Sequence, residues 1–287
     1  MIYNLGSINA DHIYRLSHLP QPGETIAADA FETGLGGKGA NMSVAAVRAE
    51  ADVRHIGAIG KDGRWALERL GRYGVDASSV QMLDAATGHA IINVDAAGEN
   101  AIVIFPGANQ MQSEDHIRSV LSNASSKDVL LLQNETNLGP FCAEIGSEIG
   151  MRVIYAAAPF EAKITADILP FANVLILNET ELSQLTSHLK TEPENLPISD
   201  VIVTKGAEGA MHYSAGTVNH FPAPKVNAVD TTGAGDTFTG YFAAGLDQGL
   251  SVDHAISRAN VAAALMVTKK GTADAVPDLE EVNAFAN

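Results

Sequence analysis

Short runs of apolar, β-branched residues alternate with helical periodicity through most of the chain. "VRHIGAIG" (53 to 60) precedes "RWALERLGRYG" (64 to 74), and "DVLLLQ", "RVIYAAA", "ANVLILN" and "DVIVTKG" repeat the strand pattern further on. This alternation predicts βαβ units and a parallel sheet. The runs are apolar nearly throughout, as suits strands covered by helices on both faces. The expected fold class is therefore α/β, a three-layer α/β/α core with a mostly parallel sheet. Two segments break the rhythm. "GHAIINVDAAGENAIVIF" (88 to 105) reads as two strands around a polar Ala-Gly turn, and residues 12 to 34 are extended, with Pro20 and Pro22 in their middle. Neither has a helix of its own, so the two are expected to join as a small β-sheet lid over a cleft. From Thr232 the pattern is helical almost to the end, through "GAGDTFTGYFAAGLDQG" and "SVDHAISRANVAAALMVTKKG". With no linker or internal repeat, residues 1 to 287 are expected to form a single domain carrying this lid.

Composition narrows the function. Of 287 residues 46% are hydrophobic, enough for a sizeable core, and the formal net charge is -16. That charge repels nucleic-acid backbones and anionic lipid surfaces, and neither is expected as a partner. The single cysteine, Cys142, allows no intramolecular disulfide and no thiolate cluster, which points to a reducing, cytoplasmic setting. The start "MIYNLGSINADH" lacks a basic and then apolar leader, and no apolar run approaches a membrane span. The nine histidines include no H-x-x-x-H pair, and no G-x-S-x-G elbow occurs, which argues against a zinc hydrolase and an α/β-hydrolase.

Four stretches carry candidate chemistry. "GLGGKGAN" (34 to 41) matches G-x-G-x-x-G through Gly34, Gly36 and Gly39, but "AFETG" before it is an unconvincing strand and "VRHIGAIG" ends without a ribose-binding carboxylate. It also lacks the Ser or Thr of a Walker A loop. Its glycines either let a helix start close against another backbone or, with Lys38 and Asn41, serve a ligand. "GSINADH" (6 to 12) sets Asn9 and Asp11 on the same side of an extended chain, as would suit vicinal hydroxyls; an Asx turn is the alternative. "LNETEL" (177 to 182) ends a strand at Asn178 and opens a helix with Glu179 and Glu181. Those carboxylates either complement the helix dipole or organise hydrated magnesium at a strand C-terminus.

The fourth stretch, "TTGAGDTF" (231 to 238), is the most telling. Phe238, Tyr241, Phe242, Gly245 and Leu246 fall on one helical face, so the helix packs into the core with its N-terminus at Gly233, Ala234 and Gly235. The backbone N–H groups of 233 to 236 then lack intrahelical partners, an anion site by construction. Asp236 beside it would repel an anion. That placement makes sense for a base that takes a proton from the group attacking the anion, as phosphoryl transfer requires. A carboxylate complementing the helix dipole is the competing reading.

These residues resemble a known family. "DTTGAGDTFTGYF" is similar to the C-terminal signature of the ribokinase-like (PfkB) carbohydrate kinases, and "GGKGAN" to their N-terminal one. "GSINADH", "PGET", "PGAN", "LNETE" and "KKG" follow in the family's order, so the resemblance spans essentially the whole chain. It implies an ATP-dependent sugar kinase. Asp236 would be the base, with the amides of Gly233, Ala234 and Gly235 as the anion hole. Asn9, Asp11, Gly37, Lys38, Asn41 and Glu135 match sugar-contacting positions; Asn178, Thr204, Gly206, Gly209, Gly235 and Asn260 match the ATP site. Glu181 matches the acidic residue that organises magnesium, and Asp230, Thr232, Met266, Lys269 and Gly271 match a loop pair that holds an activating potassium ion. Two positions depart: "AAAP" (156 to 159) replaces the usual Asn-Pro-Ala-Pro, and Ala275 stands where a Ser commonly closes the potassium site.

The sugar positions favour a furanose such as D-ribose, phosphorylated on its 5-hydroxyl; another pentose, deoxyribose or a nucleoside is the alternative. The exposed lid edges suggest a homodimer through the lid. Two other classes compete. A non-catalytic sugar-binding sensor would be expected to lose Asp236 or its glycines, and a nicotinamide oxidoreductase built on "GLGGKG" would bind NADH.

Overall fold

The computed structural model describes residues 1–286. Along the chain run β1 (Ile2–Leu5), β2 (Asn9–Arg15), β3 (Ala30–Gly36), α1 (Lys38–Arg48), β4 (Val53–Gly60), α2 (Arg64–Tyr73), β5 (Asp76–Leu83), β6 (Gly88–Val94) and β7 (Asn100–Phe105). The second half adds α3 (Glu114–Leu121), β8 (Val129–Leu132), α4 (Gly139–Ile149), β9 (Arg152–Ala156), α5 (Ala162–Ile168), β10 (Val174–Asn178), α6 (Glu179–Leu189) and β11 (Asp200–Thr204). It closes with β12 (Ala210–Ser214), β13 (Thr217–Phe221), α7 (Ala234–Asp247), α8 (Val252–Met266) and α9 (Leu279–Ala286).

Nine strands form the large sheet in the order β13-β12-β11-β10-β9-β8-β1-β4-β5, parallel from β5 to β11, with β12 and β13 added antiparallel at one edge. Its central strands are buried on both faces. In β1 and β8 the side chains alternate between two cores: Ile2, Val129 and Leu131 meet α1, α7 and α8, and Tyr3, Leu5, Leu130 and Leu132 meet α3 to α6. The α/β/α layering expected from the apolar runs is what the chain builds.

β2, β3, β6 and β7 form a separate four-stranded sheet, in the order β3-β2-β6-β7. Its first strand pair begins at Asn9 and ends at Gly36, wider than residues 12 to 34, because Asn9 pairs with both Gly36 and Gly88 as soon as the chain leaves the core. "AFETG" is therefore a real strand, although it lacks an apolar rhythm. It is specified by pairing with β2, and its side chains are mostly exposed. The sheet is thinly covered: Phe31, Ile102, Val103, Ile104 and Phe105 are each about half exposed. Among the described residues no helix is long and apolar enough to cross a membrane.

Helices α1 and α7 lie side by side on the large sheet. A Cβ on Gly240 of α7 would press on the Ala45 side chain and the Met42 carbonyl of α1, so glycine there lets the two helices touch. Their N-terminal turns thereby arrive together at one end of the sheet.

Candidate active site

One side of the site is the junction of β1, β2 and α1. Gly37, with φ at 92°, turns the chain out of β3 into α1, and Gly39 packs directly on Gly6 at the end of β1, leaving no room for a Cβ on either. Glu135, in the loop after β8, fills the start of α1 from outside. Its Oε2 accepts from the Ser7 hydroxyl and from the Lys38 N–H, the latter at 3.0 Å, and Gly39 N–H donates to Ser7 Oγ at 3.3 Å. A carboxylate there complements the positive end of the helix. Asn9 is buried, and the Asp11 carboxylate lies against Gly36 on the same face of β2. The expected sugar residues Asn9, Asp11, Gly37, Lys38, Asn41 and Glu135 are thus drawn from three separate segments into one cluster.

Asp236 enters this cluster from the first turn of α7 and is buried. Asn41 Nδ2 donates to its Oδ2 at 2.9 Å, while Asn41 Oδ1 is buried with no partner. A buried acceptor left open in this way is ready for a donor such as a hydroxyl. Burial pushes the Asp236 carboxyl up to about 6, opposed by the Lys38 charge and the Asn41 hydrogen bond and assisted by Glu135. Asp11 rises to about 7, chiefly through burial and then through the charges of Glu135 and Asp236. For Lys38, burial alone would lower the ammonium, but Asp236, Glu135 and Glu181 outweigh it and hold the value above the ordinary one. The site is therefore a group of carboxylates, Asp236 buried and the others half-buried, organised about one ammonium.

At the helix end itself one expectation needs correcting. Ala234 N–H is not free, because it turns back to the Thr231 carbonyl at 3.2 Å. The N–H groups of Gly233, Gly235 and Asp236 donate to no backbone acceptor in the loop or helix, so three open donors stand at this helix end. Gly233 is in the left-handed region, with φ at 83°, and forms the turn that leaves those groups open.

The positions expected to bind nucleotide lie along the C-terminal ends of β10 and β11. Asn178 caps α6: its Oδ1 accepts from Glu181 N–H at 2.9 Å, and Glu181 Oε2 accepts from Asn178 N–H at 2.7 Å. Both residues thus serve the helix, and Glu181 offers only its remaining carboxylate oxygen to anything else. Burial raises the Glu181 carboxyl, against the Asn178 hydrogen bond and Lys38. Thr204 Oγ1 donates to the Leu177 carbonyl at 3.4 Å, and Gly206 and Gly209 take positive φ in the tight turn that follows. Asn260 of α8 donates to the Phe221 carbonyl at 2.8 Å and is buried.

The two loops expected to hold potassium do meet. Val229 and Asp230 N–H donate to the Val267 carbonyl at 2.7 and 3.1 Å, and the Asp230 carboxylate accepts from Thr232 and Gly271 N–H at 3.0 and 3.2 Å. Lys269 sends its ammonium away to Glu281 at 2.9 Å, so only its backbone could serve that site. Met266 and Ala275 are buried.

Sequence reasoning missed a buried polar chain beneath the junction. Gln133 Nε2 donates to Asn4 Oδ1 at 2.7 Å, and Asn4 Nδ2 donates to the Gly39 carbonyl and to Ser43 Oγ, each at 2.8 Å. Ser43 meets His55 Nδ1 at 2.9 Å, and His55 Nε2 meets the Gly6 carbonyl at 3.0 Å. Burial holds His55 down at about 4, with the Gly6 carbonyl pulling the other way, so the ring is neutral and donates from Nε2. The signal was present: Asn4 and His55 are fully buried polar residues inside strands that are otherwise mostly apolar.

The fold and this arrangement define a phosphotransferase acting on a hydroxyl group. The chain matches the model of the pfkB family carbohydrate kinases over residues 1–279 and belongs to that family. It is 35% identical to a ribokinase of Haemophilus influenzae, with 98% of this chain and 96% of that protein covered. Identity to a deoxyribokinase of Salmonella typhi is 32%, with 98% and 97% covered. Among solved structures, a ribokinase of Thermotoga maritima superposes with a TM-score of 0.90 at 33% identity, covering 100% of this chain and 99% of that one. A ribokinase of Arabidopsis thaliana, complexed with ribose and ATP, gives 0.88 at 31%, covering 99% and 97%.

Proposed function

We propose that the protein is an ATP-dependent ribokinase that phosphorylates the 5-hydroxyl of D-ribose, with Asp236 as the base. One observation carries this reading: a buried carboxylate raised to about 6 sits beside three open N–H groups at a helix end and within the reach of Lys38. A base of that strength is ionised at neutral pH yet strong enough to accept a proton as the hydroxyl attacks. The N–H groups of Gly233, Gly235 and Asp236 receive the charge that builds on the phosphoryl oxygens. Asn9, Asp11, Asn41 and Glu135 orient the sugar, and Asn178, Thr204, Gly206, Gly209 and Asn260 border the nucleotide. That relatives named ribokinase cover nearly the whole chain supports ribose, and the Salmonella typhi relative keeps deoxyribose as a second substrate to be tested.

Among the described residues no group of three or more His, Cys, Asp or Glu side chains is arranged to hold a metal alone. Magnesium would come with ATP, and the second carboxylate oxygen of Glu181, which the capping box leaves unused, would help to organise it. When bound it neutralises phosphate charge. Potassium fits the joined 229–232 and 266–271 loops as an activator, held by backbone carbonyls. We further place the enzyme in the cytoplasm, with a homodimer formed through the lid by pairing of the exposed edges of the small sheet. The test is an ADP-release assay over pentoses, deoxyribose, hexoses and nucleosides, with and without potassium. Ribose turnover is expected, and no turnover above the ATPase background would sink the kinase reading.

A further inference from the structure

Asn109 is 1% exposed, in the turn between β7 and α3, and no role in sugar binding follows from its position in the sequence. Its side-chain amide lies against the root of β2. Ile8 N–H donates to Asn109 Oδ1 at 2.9 Å, and Asn109 Nδ2 donates to the Ile8 carbonyl at 3.3 Å and to Asn9 Oδ1 at 2.8 Å. A side-chain amide can be turned over, exchanging donor for acceptor, but a backbone N–H can only donate and a backbone carbonyl can only accept. Ile8 therefore fixes which way Asn109 points. Asn109 in turn fixes Asn9, whose Oδ1 must face it. The Asn9 Nδ2 group, which has no partner among the described residues, is left on the face of β2 that carries Asp11. Gly88 closes the arrangement from the lid side, because a Cβ there would run into Asn109 Nδ2 and Asn9 Oδ1.

We propose that Asn109 is a positioning residue that sets the polarity of Asn9, so that the sugar site presents an N–H donor at this point and selects a substrate hydroxyl acting as acceptor. Asn41, whose Oδ1 is buried without a partner, holds an unused acceptor in the same cluster, the opposite polarity to the Asn9 N–H. The inference rests on the sugar-binding role given to Asn9 above.

Asn109→Asp is the sharpest variant. An aspartate of the same shape still accepts from Ile8 N–H but offers Asn9 a second acceptor, which turns the Asn9 amide over. Ribose affinity should fall about tenfold or more, the worth of one misdirected hydrogen bond, while the KM for ATP stays within about twofold. Asn109→Ala should weaken ribose binding in the wild-type background and add less than about twofold in an Asn9→Ala background, since its effect passes through Asn9. Gly88→Ala disturbs the same two amides without replacing either and should also weaken ribose binding selectively. Thermal unfolding of each variant identifies any that fails to fold, and Gly88→Ala then carries the test.

Ribose binding is measured calorimetrically without nucleotide, so absent turnover would overturn the kinase reading alone and leave this readout intact. An equal loss from Asn109→Ala in both backgrounds, or ribose and ATP affinities falling together, overturns the positioning role. So does unchanged ribose affinity in Asn109→Asp and Gly88→Ala, or no ribose binding by the wild type.

Discussion

The two halves of the site are held together in different ways. On the sugar side the decisive hydrogen bonds join residues far apart in sequence: Asn41 to Asp236, Ser7 to Glu135, Asn109 to Asn9. On the proposed nucleotide side the side-chain bonds reach less far: Asn178 and Glu181 cap one helix and Lys205 pairs with Glu208, while Thr204 reaches the Leu177 carbonyl and Asn260 the Phe221 carbonyl. The sugar side is also buried and crowded with charge, and the nucleotide side lies open along strand ends. Long-range bonds exist only once the whole chain has folded, so the sugar half is organised in advance by the fold. Local caps survive in a short segment, and they leave the nucleotide half free to adjust around its ligand.

Substitutions should divide along this line. The largest effect belongs to Asp236→Asn, which should lower kcat by about 10²- to 10⁴-fold with ATP affinity retained, as single-turnover and nucleotide-binding measurements would report. A near-normal rate would reduce Asp236 to a helix-dipole residue. In the wild type, sugar turnover should fall as pH drops through 7 toward 6, because Asp11 and Asp236 titrate there and not near 4. A pH–rate profile with its acid limb near 4 would contradict the buried-carboxylate picture.

Gly36→Ala comes next. The added methyl would collide with the Asp11 carboxylate, and the KM for sugar should rise by about tenfold with little change for ATP. An equal rise for both substrates would erase the distinction between the halves.

Asp11→Asn tests the cost of crowding charge. A carboxyl raised in the folded state disfavours folding once ionised, so this contribution weakens the wild type above pH 7 and relaxes as pH falls toward the ordinary carboxylate range. The variant should be more stable than wild type at pH 8 by on the order of 2 kcal/mol, seen as a higher Tm, while sugar binding is lost. A lower Tm would show that Asp11 has a stabilising partner. The smallest effect is on the open side: Glu181→Ala should cost about 1 kcal/mol through its capping box, measured by denaturant unfolding, and leave the sugar KM unchanged.

The large sheet was legible because its strands are apolar on both faces, a pattern that "DVLLLQ" and "ANVLILN" carry without help from neighbours. β3 was not, because "AFETG" becomes a strand only through its pairing with β2. Asp236 stood out because a carboxylate beside an open helix end is electrostatically misplaced. The free status of all four amides did not hold, since whether Ala234 N–H turns back to Thr231 depends on the left-handed turn at Gly233. Glu181 was read as either a dipole partner or an organiser of hydrated magnesium, and the capping box occupies one of its oxygens. Asn109 was visible within "PGAN" but silent, because its three hydrogen bonds reach residues about a hundred positions away.

The small sheet meets the large one where Asn9, Gly36 and Gly88 stand side by side. Seen as a lever, β2 has its pivot at Asn9 and its tip at Arg15, about 20 Å away at the usual strand rise. A turn of about 15° at the pivot would sweep the tip through roughly 5 Å, while Asn9 stays in place and Asp11, a third of the way along, moves by about 2 Å. On the sugar roles proposed above, Asn9 sits at the fulcrum and a gate would sit at the far end, so opening for exchange of substrate would leave Asn9 in place and ease the grip only at Asp11.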